Sequence, residues 1–110
     1  GAVIGEGCQI FFNAYIGSES KIGFGCIVNT GAIISHDCVL GDFVNISPGV
    51  ILAGAVTVKE KTLIGMGVTI NLNVVVGSGV RAGNSSVIKE DVPDHGVVRA
   101  GMIWPVEVRS

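Results

Sequence analysis

Aromatic residues are scarce in this chain, at 5% of 110 residues, and charged ones reach only 15%. Such a composition suits a narrow interior filled by branched aliphatics, and 17 glycines suit a chain with many corners. Long apolar runs are missing too. The sequence is 48% hydrophobic, but its apolar residues are so dispersed that no window resembles a transmembrane helix, and membrane insertion is not expected. Basic excess is absent as well: a formal charge of −2 gives no reason to expect nucleic acid or an anionic membrane as partner. Residues 1–10 lack a basic leader region and already carry the repeat described below, so a secretory signal is not expected there. Three cysteines, all in one phase of that repeat, read as buried free thiols in a reducing, cytoplasmic compartment.

What the chain does have is a period. From Ile4 to Ile88 a residue of the core type recurs every sixth position, and fourteen of these fifteen residues are Ile, Leu or Val, the exception being Ala82. Four residues after each stands a smaller inward candidate, such as Cys8, Ala14, Ser20, Cys26, Cys38 or Thr62. No helix repeats at six and a plain strand needs only two, so the spacing predicts a parallel β-helix of hexapeptide repeats. Six residues per side and three sides per turn make eighteen per coil. Residues 1–92 then form about five coils, roughly 24 Å high at the usual strand spacing, and 93–110 form a closing segment. Each side holds a triplet of small-in, any-out, large-in residues, followed by a three-residue corner. The third corner position is Gly, Asn or Asp in ten of fifteen cases, the types that best tolerate left-handed backbone. Periodicity alone favours a right-handed crossover.

The phase assigns three outer faces: Gln9, Ile27, Asn45, Leu63 and Arg81; Lys21, Val39, Thr57, Val75 and Pro93; and Tyr15, Ile33, Ile51, Thr69 and Val87. The last is an apolar stripe, which marks a contact surface and predicts a closed homo-oligomer, a trimer. Cys8 and Cys26 fall eighteen residues apart and stack, so a disulfide there is sterically permitted but not expected. The first coil starts without a cap, leaving open strand edges, and we expect a fragment or a chain lacking a preceding domain.

Two histidines are present. His36 takes the second corner position and points away from the core, beside the apolar stripe. Its stacked neighbours are Gly54 and Ser18, which leave room for a ligand, and an imidazole is the natural general base near neutral pH. A solvated surface histidine is the plain alternative. Asp37 either tunes His36 or simply suits a strained turn. His95, after Pro93-Asp94, is expected to face solvent. Cys38, the obvious nucleophile beside His36, is sent inward by its phase, which argues against a covalent mechanism.

The segment Ile27-Val28-Asn29-Thr30-Gly31-Ala32-Ile33-Ile34-Ser35-His36-Asp37-Cys38-Val39-Leu40-Gly41-Asp42 resembles the left-handed β-helix, hexapeptide-repeat acyltransferases. Within them it is most similar to the sialic-acid O-acetyltransferase and nucleotide-sugar N-acetyltransferase branch. The end, Val87-Ile88-Lys89-Glu90-Asp91-Val92-Pro93 and then Val97-Val98-Arg99-Ala100-Gly101, is similar to the way those helices close. The resemblance covers residues 3–101 and implies a left-handed, all-β, single-stranded helix assembled as a homotrimer, with acetyl-CoA between neighbouring subunits. It implies an acetyl-CoA-dependent acetyltransferase acting on an amino or hydroxyl group of a sugar or nucleotide sugar. His36 would be the base and Asp37 its modulating neighbour. Gly54 would offer a backbone N–H to the thioester oxygen, Gly65, Met66, Gly83 and Asn84 would line the coenzyme path, and Asn29 and Asn45 would stand near the acceptor. No metal is expected. Corner glycines suit their corners in any case. Of seven basic residues six follow residue 58, namely Lys59, Lys61, Arg81, Lys89, Arg99 and Arg109; they suit coenzyme phosphates or are ordinary solvated charges.

The chain departs from the family in places. Asn45 stands where a second histidine is frequent, and Met102-Ile103-Trp104-Pro105 replaces a Gly-x-Pro-Ala-Lys ending. Relatives also carry an N-terminal domain that holds the sugar nucleotide. The main rival reading is therefore a non-catalytic trimeric β-helix scaffold, or a truncated fragment without its acceptor-binding domain. A β-helical zinc carbonic anhydrase would need three histidines at subunit boundaries, and an ice-binding helix would need ranks of outward Thr where only Thr57 and Thr69 face out. Both are set aside.

Overall fold

The computed structural model describes residues 1–106, and over these the chain is all β: seventeen two-residue strands and no helix. Sheet A stacks β1 (Val3–Ile4), β4 (Lys21–Ile22), β7 (Val39–Leu40), β10 (Thr57–Val58) and β13 (Val75–Val76). Sheet B stacks β2 (Gln9–Ile10), β5 (Ile27–Val28), β8 (Asn45–Ile46), β11 (Leu63–Ile64), β14 (Arg81–Ala82) and β16 (Val97–Val98). Sheet C stacks β3 (Tyr15–Ile16), β6 (Ile33–Ile34), β9 (Ile51–Leu52), β12 (Thr69–Ile70), β15 (Val87–Ile88) and β17 (Ile103–Trp104). Every pairing is parallel. Until Ile88 the register is eighteen residues without a slip, as in Ile33↔Ile51 and Ile34↔Leu52. The chain thus winds a three-sided solenoid.

The strands are short because each side needs only one outward and one large inward residue before it must turn. At each corner from Gly7 to Ser85 the third residue has positive φ. Gly occupies six of these corners, and Asn13, Asp37 and Asn73 three more. Even Phe43 is held there, at φ 56°, in a region that costs an L-residue roughly 1–2 kcal/mol. Inside, the large and small positions interlock into one continuous core. Ile34, Ile46, Leu52, Ile64, Ile70 and Ile88 are all fully buried. The first coil is the exception: its inward residues Ile4 and Ile10 are 47% and 39% exposed.

Polar residues at the small inward position are not idle. Cys8, Ser20, Cys26, Cys38 and Thr62 each donate to the carbonyl fifteen residues on, which opens a corner of the next coil. Among the described residues no buried side-chain nitrogen or oxygen is left without a hydrogen-bond partner, as a dry interior requires. Cys8 and Cys26 are free thiols, each turned to its own carbonyl.

The closing segment winds a further turn, so about six coils stand where the spacing suggested five. That turn is two residues short. Val76 bridges to Val92, Arg81 pairs with Val97 and Val87 with Ile103, each sixteen residues apart. Pro93, assigned by phase to the outer face of sheet A, forms no strand there. The Val75 N–H is taken instead by Asp91 Oδ1 at 2.8 Å, and sheet A ends in a single bridge. Arg109 lies outside the described residues.

Candidate active site

His36 stands at the edge where sheet C passes to sheet A, on the corner between β6 and β7. It is exposed, as its phase predicts, and its Nδ1 lies 2.9 Å from Asp37 Oδ2. Asp37 is also the positive-φ residue of this corner, at 59°. Turn geometry and contact with the imidazole are thus served by one residue. The Asp37 N–H donates to the Ser18 carbonyl at 3.0 Å and the His36 carbonyl accepts from Ala55 at 2.9 Å, so the rungs on both sides hold the corner.

The ring leans over the next coil. A Cβ built on Gly54 would stand 2.6 Å from both Cε1 and Nε2 of His36, so only glycine lets the imidazole lie where it does. Gly54 needs no left-handed backbone; space is what selects it. Its N–H is uncapped, as at most corners of the described residues. The matching N–H groups of Phe24, Met66 and Ser78 are capped at 2.9 Å by Asp42, Asn84 and Asp94 of the following turn. Above Gly54 the stacked residue is Leu72, which has nothing to offer, and among the described residues the Gly54 N–H has no acceptor. What sets this amide apart is its place beside the His36 imidazole, where it is free to donate to an external oxygen.

The other sequence candidates gather elsewhere. Gly65-Met66 and Gly83-Asn84 are stacked corners on the edge between sheets B and C. Asn84 Oδ1 receives the Met66 N–H, and Gly65 is bare because a Cβ there would meet that oxygen at 2.7 Å. Met66 keeps only its exposed side chain for a ligand. Asn29, which the resemblance puts at a strand position near the acceptor, lies just outside the strand. It follows β5 at the same edge and turns its Oδ1 onto the Thr30 N–H at 2.9 Å. Asn45 faces outward on β8, half-buried. His36, Asp37 and Gly54 thus form one group; Asn29, Gly65, Met66, Gly83 and Asn84 form another, with Asn45 beside it on sheet B and the face of sheet C between the two. That face carries the apolar stripe: Tyr15, Ile33 and Ile51 are 58%, 40% and 44% exposed.

Cys38 is fully buried, and burial pushes its thiol pKa up, as it does for Cys26. A protonated thiol facing the core is no nucleophile, as its phase implied. His95 is exposed and lies over Gly79 at the opposite edge, away from His36. Among the described residues no group of three His, Cys, Asp or Glu side chains could hold a metal, and no helix is long and apolar enough to cross a membrane. Sequence reasoning missed Ser20, whose buried hydroxyl braces the His36 corner from within. A hydroxyl eighteen residues before Cys38 was the available signal, read only as a small inward residue.

No protein-family model and no curated protein matches the chain. Solved structures do. The acetyltransferase domain of PglB from Neisseria gonorrhoeae is 42% identical over 89% of this chain and 48% of that one, with a TM-score of 0.88. Its complex with acetyl coenzyme A gives 40% identity over 96% and 51%, with a TM-score of 0.91. A mutant of GDP-perosamine N-acetyltransferase from Caulobacter crescentus, in complex with CoA and GDP-perosamine, gives 27% over 99% and 53%, with a TM-score of 0.81. The chain spans about half the length of the structures it matches. By repeat, register and likeness together, this chain has the hexapeptide-repeat, left-handed parallel β-helix architecture of these acetyltransferases.

Proposed function

We propose that this chain is the catalytic helix of an acetyl-CoA-dependent acetyltransferase acting on an amino or hydroxyl group of a sugar or nucleotide sugar. The observation that carries the reading is the His36 imidazole resting on the bare Cα of Gly54, beside an amide with no acceptor. In the reaction, His36 takes the proton from the acceptor nitrogen or oxygen as that atom attacks the thioester carbon. The Gly54 N–H donates to the oxygen that becomes negative, the role of an oxyanion hole. The carbon–sulfur bond then breaks, and the departing thiolate of coenzyme A takes up the proton. Asp37, hydrogen-bonded to Nδ1, orients the ring so that Nε2 faces the acceptor.

The arrangement on two edges supports a homotrimer. The base stands on the C–A edge, while Met66, Asn84 and Asn29 stand on the B–C edge. A second copy brings the two groups face to face across a groove, covering the apolar stripe of sheet C, with acetyl-CoA between. Three free thiols fit a cytoplasmic setting.

The test is calorimetric titration with acetyl-CoA, followed by assay of thiol release with amino-sugar nucleotides and sialic acids, with His36→Ala as control. Tight binding with turnover lost in His36→Ala is the expected result. Full activity of His36→Ala removes the base assignment. Binding without turnover indicates an acceptor site completed by a further domain, and no binding at all favours a scaffold.

A further inference from the structure

The corner that carries His36 is closed differently from most. In several corners the residue that follows returns its own N–H to the carbonyl three residues back: Ala14 to Phe11 at 3.2 Å, Ala32 to Asn29 at 3.2 Å, Val74 to Asn71 at 3.3 Å. Between Ser35 and Cys38 a side chain is inserted. Ser20 Oγ, one rung below, donates to the Ser35 carbonyl at 2.8 Å and accepts the Cys38 N–H at 3.1 Å. Ser20 is fully buried, so water does not compete for either bond. The two groups it joins are the ends of the turn in which His36 and Asp37 stand. We infer that Ser20 is a positioning residue for the catalytic histidine: its hydroxyl sets the opening of this turn and thereby the lean of the imidazole over Gly54.

Thr62 makes the same bridge on a corner without histidine, donating to the Gly77 carbonyl at 2.6 Å and accepting the Val80 N–H at 3.1 Å. It therefore provides a control for loss of stability alone. The inference rests on His36 being the base, but its experiment does not depend on activity. With two histidines in the chain, the His36 ring resonances are readily assigned by nuclear magnetic resonance using His36→Ala. In Ser20→Ala those resonances shift, and kcat falls by about tenfold or more, the usual cost of a misplaced catalytic group. KM for acetyl-CoA stays near that of the parent, and Ser20→Thr restores both readouts. Thr62→Val lowers the melting temperature but leaves the His36 resonances and kcat unchanged.

Two results overturn the inference: unchanged His36 resonances in Ser20→Ala, or equal changes in Thr62→Val. Should Ser20→Ala not fold, Ser20→Cys carries the test, since thiols hold this position in Cys8, Cys26 and Cys38. A longer, weaker bridge then shifts the resonances by less, and no shift overturns the inference. If His36→Ala proves fully active, the base assignment falls while the resonance shift still reports whether Ser20 orients the ring.

Discussion

Glycines 54 and 31 separate two uses of a missing side chain. A methyl group on Gly54 would run into the His36 ring, yet the backbone there is ordinary. Gly54→Ala should therefore fold normally and lose activity by about tenfold or more, because the ring must swing off its site. Gly31 is the converse. It has φ +70° with nothing within 4 Å, so Gly31→Ala should keep its kcat and lose about 1–2 kcal/mol of stability, measured by chemical denaturation. The thiols make a further prediction. Burial raises the pKa of Cys26 and Cys38 above the ordinary 9.0. Below that value both are protonated, folded or unfolded, and cost nothing. As the pH climbs past 9.0 the unfolded chain sheds these protons first, so stability should fall by no more than about 1.4 kcal/mol per pH unit and thiol. Melting curves up to strongly alkaline pH test this, and the decline should be smaller in Cys38→Ala. The outward aim of His36 and the inward aim of Cys38 were both legible from phase. The local use of Asn29 was not, because a side-chain bond to the next amide leaves no periodic trace.

Strands here are so short that no single one is stable. What holds them is the ladder, in which the N–H of each outward residue as far as Thr69 reaches the carbonyl seventeen residues on, as Ile33 does to Val50 at 2.8 Å. Removing a bridge between rungs should be felt. Thr62→Val leaves the Gly77 carbonyl and the Val80 N–H without their buried partner, and about 1–3 kcal/mol should be lost in denaturant titration. This architecture was readable because every rung repeats one local rule, so each sixth residue confirmed the others independently. Legibility ended at Asp91. There a side chain replaces a ladder partner and Pro93 leaves the strand, and a contraction of two residues cannot be inferred from a pattern that has stopped. Ser20 was hidden for another reason: a hydroxyl and a thiol look equally small in a periodic reading, though only their bonds reveal which corner they hold.

For the whole molecule, the arrangement of candidates on two edges makes a test of assembly more informative than any single variant. Ile51→Lys on the exposed stripe should keep the β-rich circular dichroism of the parent, convert the assembly to a monomer by light scattering and abolish turnover. A monomeric parent at micromolar concentration would remove the trimer altogether. Mixing inactive His36→Ala chains with chains blocked at the other edge, such as Asn84→Arg, should restore part of the activity, since some grooves then receive one intact edge from each parent. No recovery would mean that each chain builds its site alone. The phase of the repeat put the His36 corner beside the apolar stripe, but the second group on the far edge emerges only once the sheets have positions in space.

The shortened last turn has its own consequence. Trp104 stacks on Ile88, half-buried against the core, with its indole N–H on the Asp91 carbonyl at 3.1 Å, while sheet A has already stopped one level lower. Among the described residues the three sheets therefore stop at different levels, and no flush set of three edges is formed there. Trp104 covers the last rung of sheet C, and Trp104→Gly, which uncovers Ile88, should make samples more prone to fibril formation in a thioflavin assay.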